Sequence, residues 1–535
     1  MAFELRQTPP TASQPLLLTN RLGQIAFGQF DMSTIRNITF SLVAVIFAKN
    51  VGFMQSFVVA KSLGPAAFGV WITLLLVASY SPIVCLGTVE AMVKEVPFYL
   101  GRNDLLRVRE IENGVLGSII LAASAFVATG LLGFVVLPSD FLGAGPVLLL
   151  LVFLTIAISA FNGFFYWRLT AYESFRAVAS LDICRSSLAF VFIGGLGWLW
   201  GLPGAVVGYL LHEVGVCVGG VWLNVRHHGR PGVDFRPELL WHAVRVGFPI
   251  TVLWWVLILQ TSVDRVVLGS LVGASAVGYF GLGLSLASVL GLLPGVVGRV
   301  LYPMVSRQFG KEADPHSMKA LVLAPTLALA ALLVNLQLLL LVFLPILYNT
   351  LLPKYQPGLD VGQILILGSF FGCLFRNGAN YLVATHKERI FLEYILLTLL
   401  FNVVADVAFV KAGWGLEGVA LGTSLAGLLL NTLVWRRVLL GLGGAHSEVW
   451  PKLLGLYLPL LILAAAVFGL RLVYGDFLRK FDAASIGLSI GLFILVNGLL
   501  YYCPLYRSEF PGWRRVLLKA ARPVWKTMPI PHAVP

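Results

Sequence analysis

The stretch that decides the fold is residues 247–303, GFPITVLWWVLILQTSVDRVVLGSLVGASAVGYFGLGLSLASVLGLLPGVVGRVLYP. Two apolar runs, each long enough to cross a bilayer as a helix, flank a glycine, alanine and serine turn at residues 272–277. Asp264 and Arg265 lie near the end of the first run. Charge at membrane depth is costly, so such side chains usually pair or face a protein interior or a wet cavity. In the second run, Pro294 marks a place where a membrane helix can bend.

The rest of the chain repeats this composition. Of its 535 residues, 58% are hydrophobic and only 12% are charged, whereas about a quarter of a soluble domain is charged. Apolar runs of membrane-spanning length recur from end to end and leave no room for a soluble domain between them. The composition therefore predicts an all-α polytopic membrane protein with about fourteen transmembrane helices.

The basic residues predict the orientation of these helices. Of the 38 lysines and arginines, 28 fall on one set of loops and tails, and 6 fall on the opposite loops. Positive charge concentrates on the cytoplasmic side of membrane proteins. We therefore expect both termini in the cytoplasm, and we interpret the net charge of +13 as a topology signal rather than a sign of nucleic-acid binding.

Three short motifs occur twice, in the same order and at nearly the same spacing, which predicts an internal repeat. The pairs are LGPAAFGVW at 63–71 with VGASAVGYF at 272–280, NGFFYWRLT at 162–170 with NGANYLVAT at 377–385, and WGLPGAVVG at 200–208 with WGLEGVALG at 414–422. Each repeat spans an even number of helices, so both halves enter from the same side. Such halves are related by a pseudo-two-fold axis along the membrane normal, with a cleft between them.

These patterns divide the chain into two six-helix bundles with flanking segments. The expected segments are a cytoplasmic N-terminal tail at 1–33, the N-terminal bundle at 34–225, a cytoplasmic linker at 226–244, the C-terminal bundle at 245–436, two further helices at 437–503 and a cytoplasmic C-terminal tail at 504–535.

The same motifs resemble a known family. LGPAAFGVW after the first helix, the stretch GFP…DRVVLGSLVGASAVGYF…YPMVSRQ and WGLEGVALG are similar to Wzx-like polysaccharide and O-antigen flippases, in the polysaccharide transporter branch of the multidrug/oligosaccharidyl-lipid/polysaccharide exporter superfamily. The resemblance implies that the protein moves undecaprenyl-diphosphate-linked oligosaccharide across the bacterial cytoplasmic membrane for surface polysaccharides such as lipopolysaccharide O-antigen or exopolysaccharide. It also implies membrane lipid and other polysaccharide-assembly membrane proteins as partners.

A cleft that carries a diphosphate headgroup needs cations and amides, because charge-assisted hydrogen bonds offset the loss of hydration. The charged and amide side chains inside predicted helices give the candidate substrate-binding residues Lys49, Asn50, Arg265, Arg376 and Asn377. Each has a structural alternative. Lys49 could pair with a carboxylate of its own half, Arg376 could extend to the cytoplasmic surface, and Arg265 could bridge two helices.

Carboxylates inside the predicted helices are candidates for ion coupling. A buried carboxylate is costly as an anion, so it favours binding a proton or a cation. The candidates are Asp264, Asp406 and Asp182. The sequence contains no Walker nucleotide motif, no HExxH and no CxxC, so we expect no catalytic residue, metal centre or cofactor.

Three other functions stay open at this stage. A cation-coupled multidrug exporter of the same superfamily would favour carboxylates over cations in its cleft. A flippase for the peptidoglycan lipid precursor would have the same number of helices. A membrane polysaccharide polymerase or ligase would need a sizeable outer loop with catalytic groups, and the predicted outer loops are short.

Overall fold

A computed structural model describes residues 32–81, 85–136, 146–311, 315–474 and 483–502. Its regular elements are all helical, with no strand in these ranges. Ten helical stretches are long and apolar enough to cross a membrane. The predicted all-α polytopic class is therefore confirmed. Both predicted tails lie almost wholly outside the described residues.

Six helices form the first half of the chain. They are α1 (Met32–Ser79), α2 (Thr88–Gly101), α3 (Leu105–Val136), α4 (Pro146–Ala171), α5 (Phe175–Leu188) and α6 (Gly195–His228). A π-helical turn, Ala189–Gly194, joins α5 to α6. Non-helical backbone at Gly64 divides α1, and the same occurs in α6 at Gly201. Each of these long helical stretches therefore belongs to two successive membrane crossings.

The second half begins with α7 (Pro237–Leu271), α8 (Ala274–Ser288) and α9 (Leu292–Lys311), followed by α10 (Pro315–Ile346), α11 (Leu359–Ala384), α12 (Glu388–Lys411) and α13 (Gly415–Gly441). Two more helices, α14 (His446–Tyr474) and α15 (Ala483–Tyr502), lie outside the repeat. A 3₁₀ segment, Val289–Gly291, separates α8 from α9. The helix thus changes geometry just before Pro294, where the sequence predicts a bend. With the breaks at Gly64 and Gly201, these helices account for the fourteen crossings.

The helical assembly has two ends, the connector end and the turn end. The connector end carries residues 229–236, which join α6 to α7. The turn end carries the tight turns at Gly64, Gly201 and Gly273.

The backbone conformation of the turns supports the internal repeat. Gly64 and Gly273, 209 residues apart (273 − 64), both have positive φ angles, of 74° and 123°. Gly201 and Gly415, 214 apart (415 − 201), have φ angles of 65° and 51°. Residues with a side chain rarely adopt this left-handed region. The paired motifs therefore encode the same turn in each half.

The two halves meet through a contact that is itself two-fold symmetric. A Cβ atom on Gly69 of α1 would collide with the carbonyl oxygen of Ala274, and one on Gly278 of α8 would collide with that of Pro65. The repeat offset of 209 relates Gly69 to Gly278 and Pro65 to Ala274. A reciprocal contact of this kind is what a two-fold axis produces. The pseudo-two-fold axis therefore passes between α1 and α8 near the turn end.

A side chain at this contact is expected to open the turn end. Gly69→Leu would force α1 and α8 apart, since the neighbouring atoms are backbone. Overpacking of this kind costs about 1–3 kcal/mol, enough to shift a conformational equilibrium about tenfold. In an otherwise cysteine-free protein, Val277→Cys on α8 is expected to react about tenfold faster with a membrane-impermeant maleimide when Gly69→Leu is present. Gly52→Leu is the control, because a Cβ atom there meets nothing. Equal labelling in both backgrounds would contradict a closed contact.

Candidate functional site

Two buried carboxyl groups lie together in the second half of the chain. Asp264 on α7 is 3% exposed, and Asp406 on α12 is fully buried. Asn402, one turn before Asp406, donates a hydrogen bond of 2.5 Å to Asp264 Oδ1 and a weaker one of 3.3 Å to Asp406 Oδ2. The two carboxyl groups lie close to each other, and the Thr423 hydroxyl of α13, which donates to the Val419 carbonyl at 2.9 Å, lies near Asp264.

The site leaves two oxygen atoms without a donor. Asp406 Oδ1 and Asn402 Oδ1 are buried and accept no hydrogen bond from the described part of the chain. Gly422 on α13, the last glycine of the repeated WGLEGVALG motif, packs directly against Asp406 Oδ1. Even an alanine methyl there would strike this oxygen. The motif glycine therefore lets the backbone of α13 lie directly against Asp406.

This arrangement requires a positive partner. Two carboxylates in contact cannot both stay ionised in a buried site unless a proton or a cation neutralises them. The donor atoms are carboxylate, amide and hydroxyl oxygens, which suit a proton or a hard cation such as Na⁺ and not a zinc ion, which prefers nitrogen and sulfur. Within the described ranges, no cluster of three or more histidine, cysteine or acidic residues that could hold a metal ion occurs. The cluster of Asp264, Asn402, Asp406 and Thr423 is called the carboxyl site below.

The carboxyl site lies next to a contact between the two halves. Tyr80, in the turn that follows α1, shares a 2.5 Å hydrogen bond with Ser262 of α7, two residues before Asp264. Arg265 directly follows Asp264 in the chain, and its side chain lies near Tyr80. The Arg265 guanidinium donates a hydrogen bond of 3.2 Å to the Thr261 carbonyl. Its Nε is buried and has no hydrogen-bond acceptor among the described residues.

The predicted substrate-binding residues do not form one cluster in this structure. Lys49 and Asn50 are exposed on α1, and Arg376 is exposed on α11. Among the described residues, no ion pair joins Lys49, Arg265 or Arg376 to any carboxylate within 4.0 Å. Asn50 Nδ2 donates to its own helix, at the Ile46 carbonyl, 2.8 Å away. The exposed cations are therefore free to meet an anion.

Asn377 and its repeat partner are internal. Asn377 is 4% exposed and donates to Thr326 Oγ1 of α10 at 3.3 Å. The repeat-related Asn162 is 1% exposed and donates to Glu213 Oε2 at 2.5 Å. Both asparagines hold helices of their own half together. Asp182, the third predicted ion-coupling residue, is half-buried on α5, in the other half from the carboxyl site.

The sequence interpretation missed a fully buried ion pair at the connector end. Arg168 of α4 and Glu112 of α3 are each 2% exposed and form an ion pair, in which Arg168 Nη2 donates to Glu112 Oε2 at 3.0 Å and Arg168 Nε lies 2.9 Å from Glu112 Oε1. The Arg168 guanidinium also donates to the carbonyls of His228 and Gly229, where α6 ends. From its position at the end of a predicted helix, Arg168 is interpreted as a cation of a loop. Its place inside the repeated NGFFYWRLT motif was the one available signal of a packed position.

The halves are in contact at both ends of the assembly. At the turn end, the Tyr355 hydroxyl donates 2.9 Å to the Ala60 carbonyl, and its ring packs against Phe68. At the connector end, His242 Nε2 lies 2.9 Å from Glu95 Oε1. The backbones of α2 and α7 also touch there, at Gly87 and Gly247. The structure thus shows the interface between the halves closed at both ends.

Known structures share this architecture. The lipid II flippase MurJ in an inward closed conformation superposes with a TM-score of 0.65 at 15% identity, over 87% of this chain and 99% of that one. An inward-facing multidrug resistance MATE family transporter of the MOP superfamily gives 0.59 at 14% identity, over 75% and 98%. An outward-facing MATE family transporter gives 0.54 at 15% identity, over 76% and 95%. At these identities the likeness shows the fold alone.

Sequence comparison identifies the family. No curated protein sequence matches the chain. The family described as "Polysaccharide biosynthesis protein" matches residues 34–309, which is more than half of the chain and includes the whole first half, α7, α8 and most of α9. The chain therefore belongs to the polysaccharide biosynthesis protein family.

Proposed function

We propose that this protein is a flippase that moves undecaprenyl-diphosphate-linked oligosaccharide across the bacterial cytoplasmic membrane, with both termini in the cytoplasm. The observation that carries the proposal is the polysaccharide biosynthesis family match over residues 34–309. The matched segment contains the helices across which the two halves meet. A V-shaped pair of bundles that parts at one end and then at the other exposes a central site to each side in turn.

The carboxyl site supplies a means of driving this change. A proton or Na⁺ bound between Asp264 and Asp406 neutralises the pair, and its release leaves charge that the surroundings must accommodate. Ser262, on the same helix, ties this region to Tyr80 of the first half. Occupancy of the site therefore acts on α7 at a point where α7 contacts the other half.

The exposed cations supply headgroup recognition. Lys49 and Arg376 are on different halves and have no carboxylate within ion-pair distance among the described residues. A diphosphate that bridges the halves would satisfy both charges through charge-assisted hydrogen bonds. Asn50 and Arg265 are assigned to the same role. Asn377 is assigned a structural role, because its amide donates a hydrogen bond to Thr326 within its own half.

Two other transport functions compete with this proposal. A similar fold occurs in the lipid II flippase MurJ, whose name points to a peptidoglycan precursor. It also occurs in a multidrug resistance MATE family transporter, and a buried carboxyl pair suits a cation-coupled exporter. The exposed Lys49 and Arg376 favour an anionic substrate over a cationic drug. A polymerase or ligase is the weakest alternative, because the described turn-end connections are short.

The proposal is tested by deleting the gene in its native host and analysing the extracted lipids. Undecaprenyl-diphosphate oligosaccharide is expected to accumulate on the cytoplasmic leaflet while surface polysaccharide is lost, and its mass identifies the glycan. Complementation with Lys49→Ala/Arg376→Ala is expected to reduce export about tenfold or more, since hydrogen bonds to charged groups contribute about 1.5–3 kcal/mol each. Arg389→Ala, on an exposed cation that lies 3.3 Å from Glu393, serves as the control.

Other results would separate the alternatives. Hypersensitivity to cationic drugs without lipid accumulation would support the drug exporter. Accumulation of the peptidoglycan precursor would support the second flippase. Full export by the double variant, made at normal level, would refute the assignment of Lys49 and Arg376.

A further inference from the structure

Two basic side chains lie near each other at the connector end, and neither forms an ion pair with a carboxylate of the described residues. Lys387 directly precedes α12, and Arg437 lies four residues before the end of α13. The Lys387 ammonium lies 5.9 Å from the ring centre of Tyr381 on α11. A Cβ atom at Gly441 would lie 2.9 Å from the Tyr381 hydroxyl and 3.4 Å from Lys387 Nζ. The Tyr381 hydroxyl and the Lys387 ammonium therefore both lie next to Gly441, which has no side chain to displace them.

The charges of this cluster are not balanced by the described part of the protein. Arg437 Nε is buried and has no hydrogen-bond partner among the described residues. Burial and then the neighbouring Arg437 guanidinium lower the pKa of Lys387, because both disfavour the charged ammonium. Two nearby basic residues are paired: Arg389 lies 3.3 Å from Glu393, and Lys452 lies 2.5 Å from Glu448.

The cluster lies where lipid headgroups are expected. Helix α12 begins at Glu388, one residue after Lys387, and exposes Leu396, Leu397 and Leu400 farther along. These leucines give α12 a lipid-facing surface. At the same end of the assembly Trp450 is 58% exposed, and tryptophan is enriched at membrane–water interfaces. The cations therefore stand at headgroup depth, beside an apolar outer surface.

We propose that Lys387, Arg437 and Tyr381 form a binding site for the phosphate of a membrane lipid in the leaflet at the connector end. The Arg437 guanidinium and the Lys387 ammonium only donate hydrogen bonds, and the Tyr381 hydroxyl can donate one. All three groups therefore match the acceptor oxygens of a phosphate. A bound phosphate would relieve the repulsion between the two cations and give the buried Arg437 Nε an acceptor. The phosphate can come from a bulk phospholipid or from a polyprenyl diphosphate, which are chemically alike at this group.

The test is native mass spectrometry of the full-length protein in detergent, titrated with three lipids. Dioleoylphosphatidylglycerol and undecaprenyl diphosphate carry phosphate, and dioleoylglycerol does not. Lys387→Gln/Arg437→Gln is expected to weaken binding of at least one phosphate lipid about tenfold, since each lost charge-assisted hydrogen bond contributes to affinity. Binding of dioleoylglycerol is expected to stay unchanged, which also shows that the variant is folded. Arg389→Gln is the matched control, two residues from Lys387 and already paired.

The lipids whose binding weakens in the double variant identify the natural ligand of the site. Weaker binding of both phosphate lipids shows a general headgroup site. Loss for undecaprenyl diphosphate alone shows a site for the polyprenyl carrier, and loss for phosphatidylglycerol alone shows a bulk-lipid site. If the double variant binds both phosphate lipids as the unmodified protein does, or if Arg389→Gln causes the same loss, the proposal is overturned. Lys387→Gln alone repeats the test if the double variant does not fold. Because the assay measures binding only, its outcome does not depend on the proposed transport function.

Discussion

Asp264→Asn and Asp406→Asn are each expected to reduce transport about 100-fold while leaving the protein as stable as before, or more stable. Asparagine keeps the shape of aspartate but cannot release or bind a proton or ligate a cation as an anion. Coupling between two sites on a protein is typically about 1–3 kcal/mol, up to about 150-fold. Because a buried carboxyl pair is costly to maintain, neutralising it removes that cost. Lost transport with retained stability would mark the pair as functional.

The measurement is uptake of labelled lipid-linked oligosaccharide by proteoliposomes under imposed Na⁺ or proton gradients, with thermal unfolding of the same preparations. The unmodified protein is expected to respond to one of the two gradients, and both variants to neither. Thr398→Val is the control. Thr398 is buried on α12, one turn before Asn402. Its hydroxyl accepts a hydrogen bond from Gln260 and makes none with the carboxyl pair. Variants that lose transport and unfold early would show that the pair is structural.

Arg168→Met is expected to destabilise the protein by about 3–5 kcal/mol, because it leaves the Glu112 carboxylate buried without a partner. Arg168 also donates to the carbonyls of His228, the last residue of α6, and of Gly229, the first residue of the connector, so the variant frees the start of the connector between the halves. The expected readout is a large drop in the melting temperature of the detergent-solubilised protein and in its yield from membranes.

The paired replacement separates charge burial from packing. Arg168→Met/Glu112→Leu is expected to recover much of the lost stability, because neither charge then remains buried alone. Arg236→Gln is the control. Arg236 also pairs with a glutamate of α3, Glu110, at 3.3 Å, but it is 53% exposed, and exposed pairs contribute about 0–1 kcal/mol. Equal losses for Arg168→Met and Arg236→Gln would contradict the role assigned to the buried pair.

Much of the architecture could be predicted because membrane helices carry a strong local signal. A bilayer requires long apolar runs in which the backbone satisfies its own hydrogen bonds, so composition alone indicates the class. The repeat was visible because its turns need glycine: Gly64 and Gly273 share a left-handed backbone that few other residues adopt. Pro294 likewise indicated a break, and the structure has a 3₁₀ segment just before it.

The candidate site was only partly predictable. Asp264 and Asp406 were each singled out because charge in an apolar run is costly. Their partnership was not visible, since they are 142 residues apart (406 − 264) on α7 and α12. Asn402, Thr423 and Gly422, which complete the site, carry no charge to attract notice. The burial of Arg168 was not predictable, because an arginine near a loop resembles an ordinary topology signal.

The sequence by itself determined the membrane class, the helix count, the repeat and the family, because each depends on residues close together in the chain or on a pattern that recurs along it. The tertiary structure alone decided which charges meet. It brought Asp264 against Asp406, buried Arg168 on Glu112, and placed Lys387 near Arg437, with no ion pair to a carboxylate of the described residues. The physical reason is that the energy of a buried charge depends on its neighbours in space, and helix packing sets those neighbours.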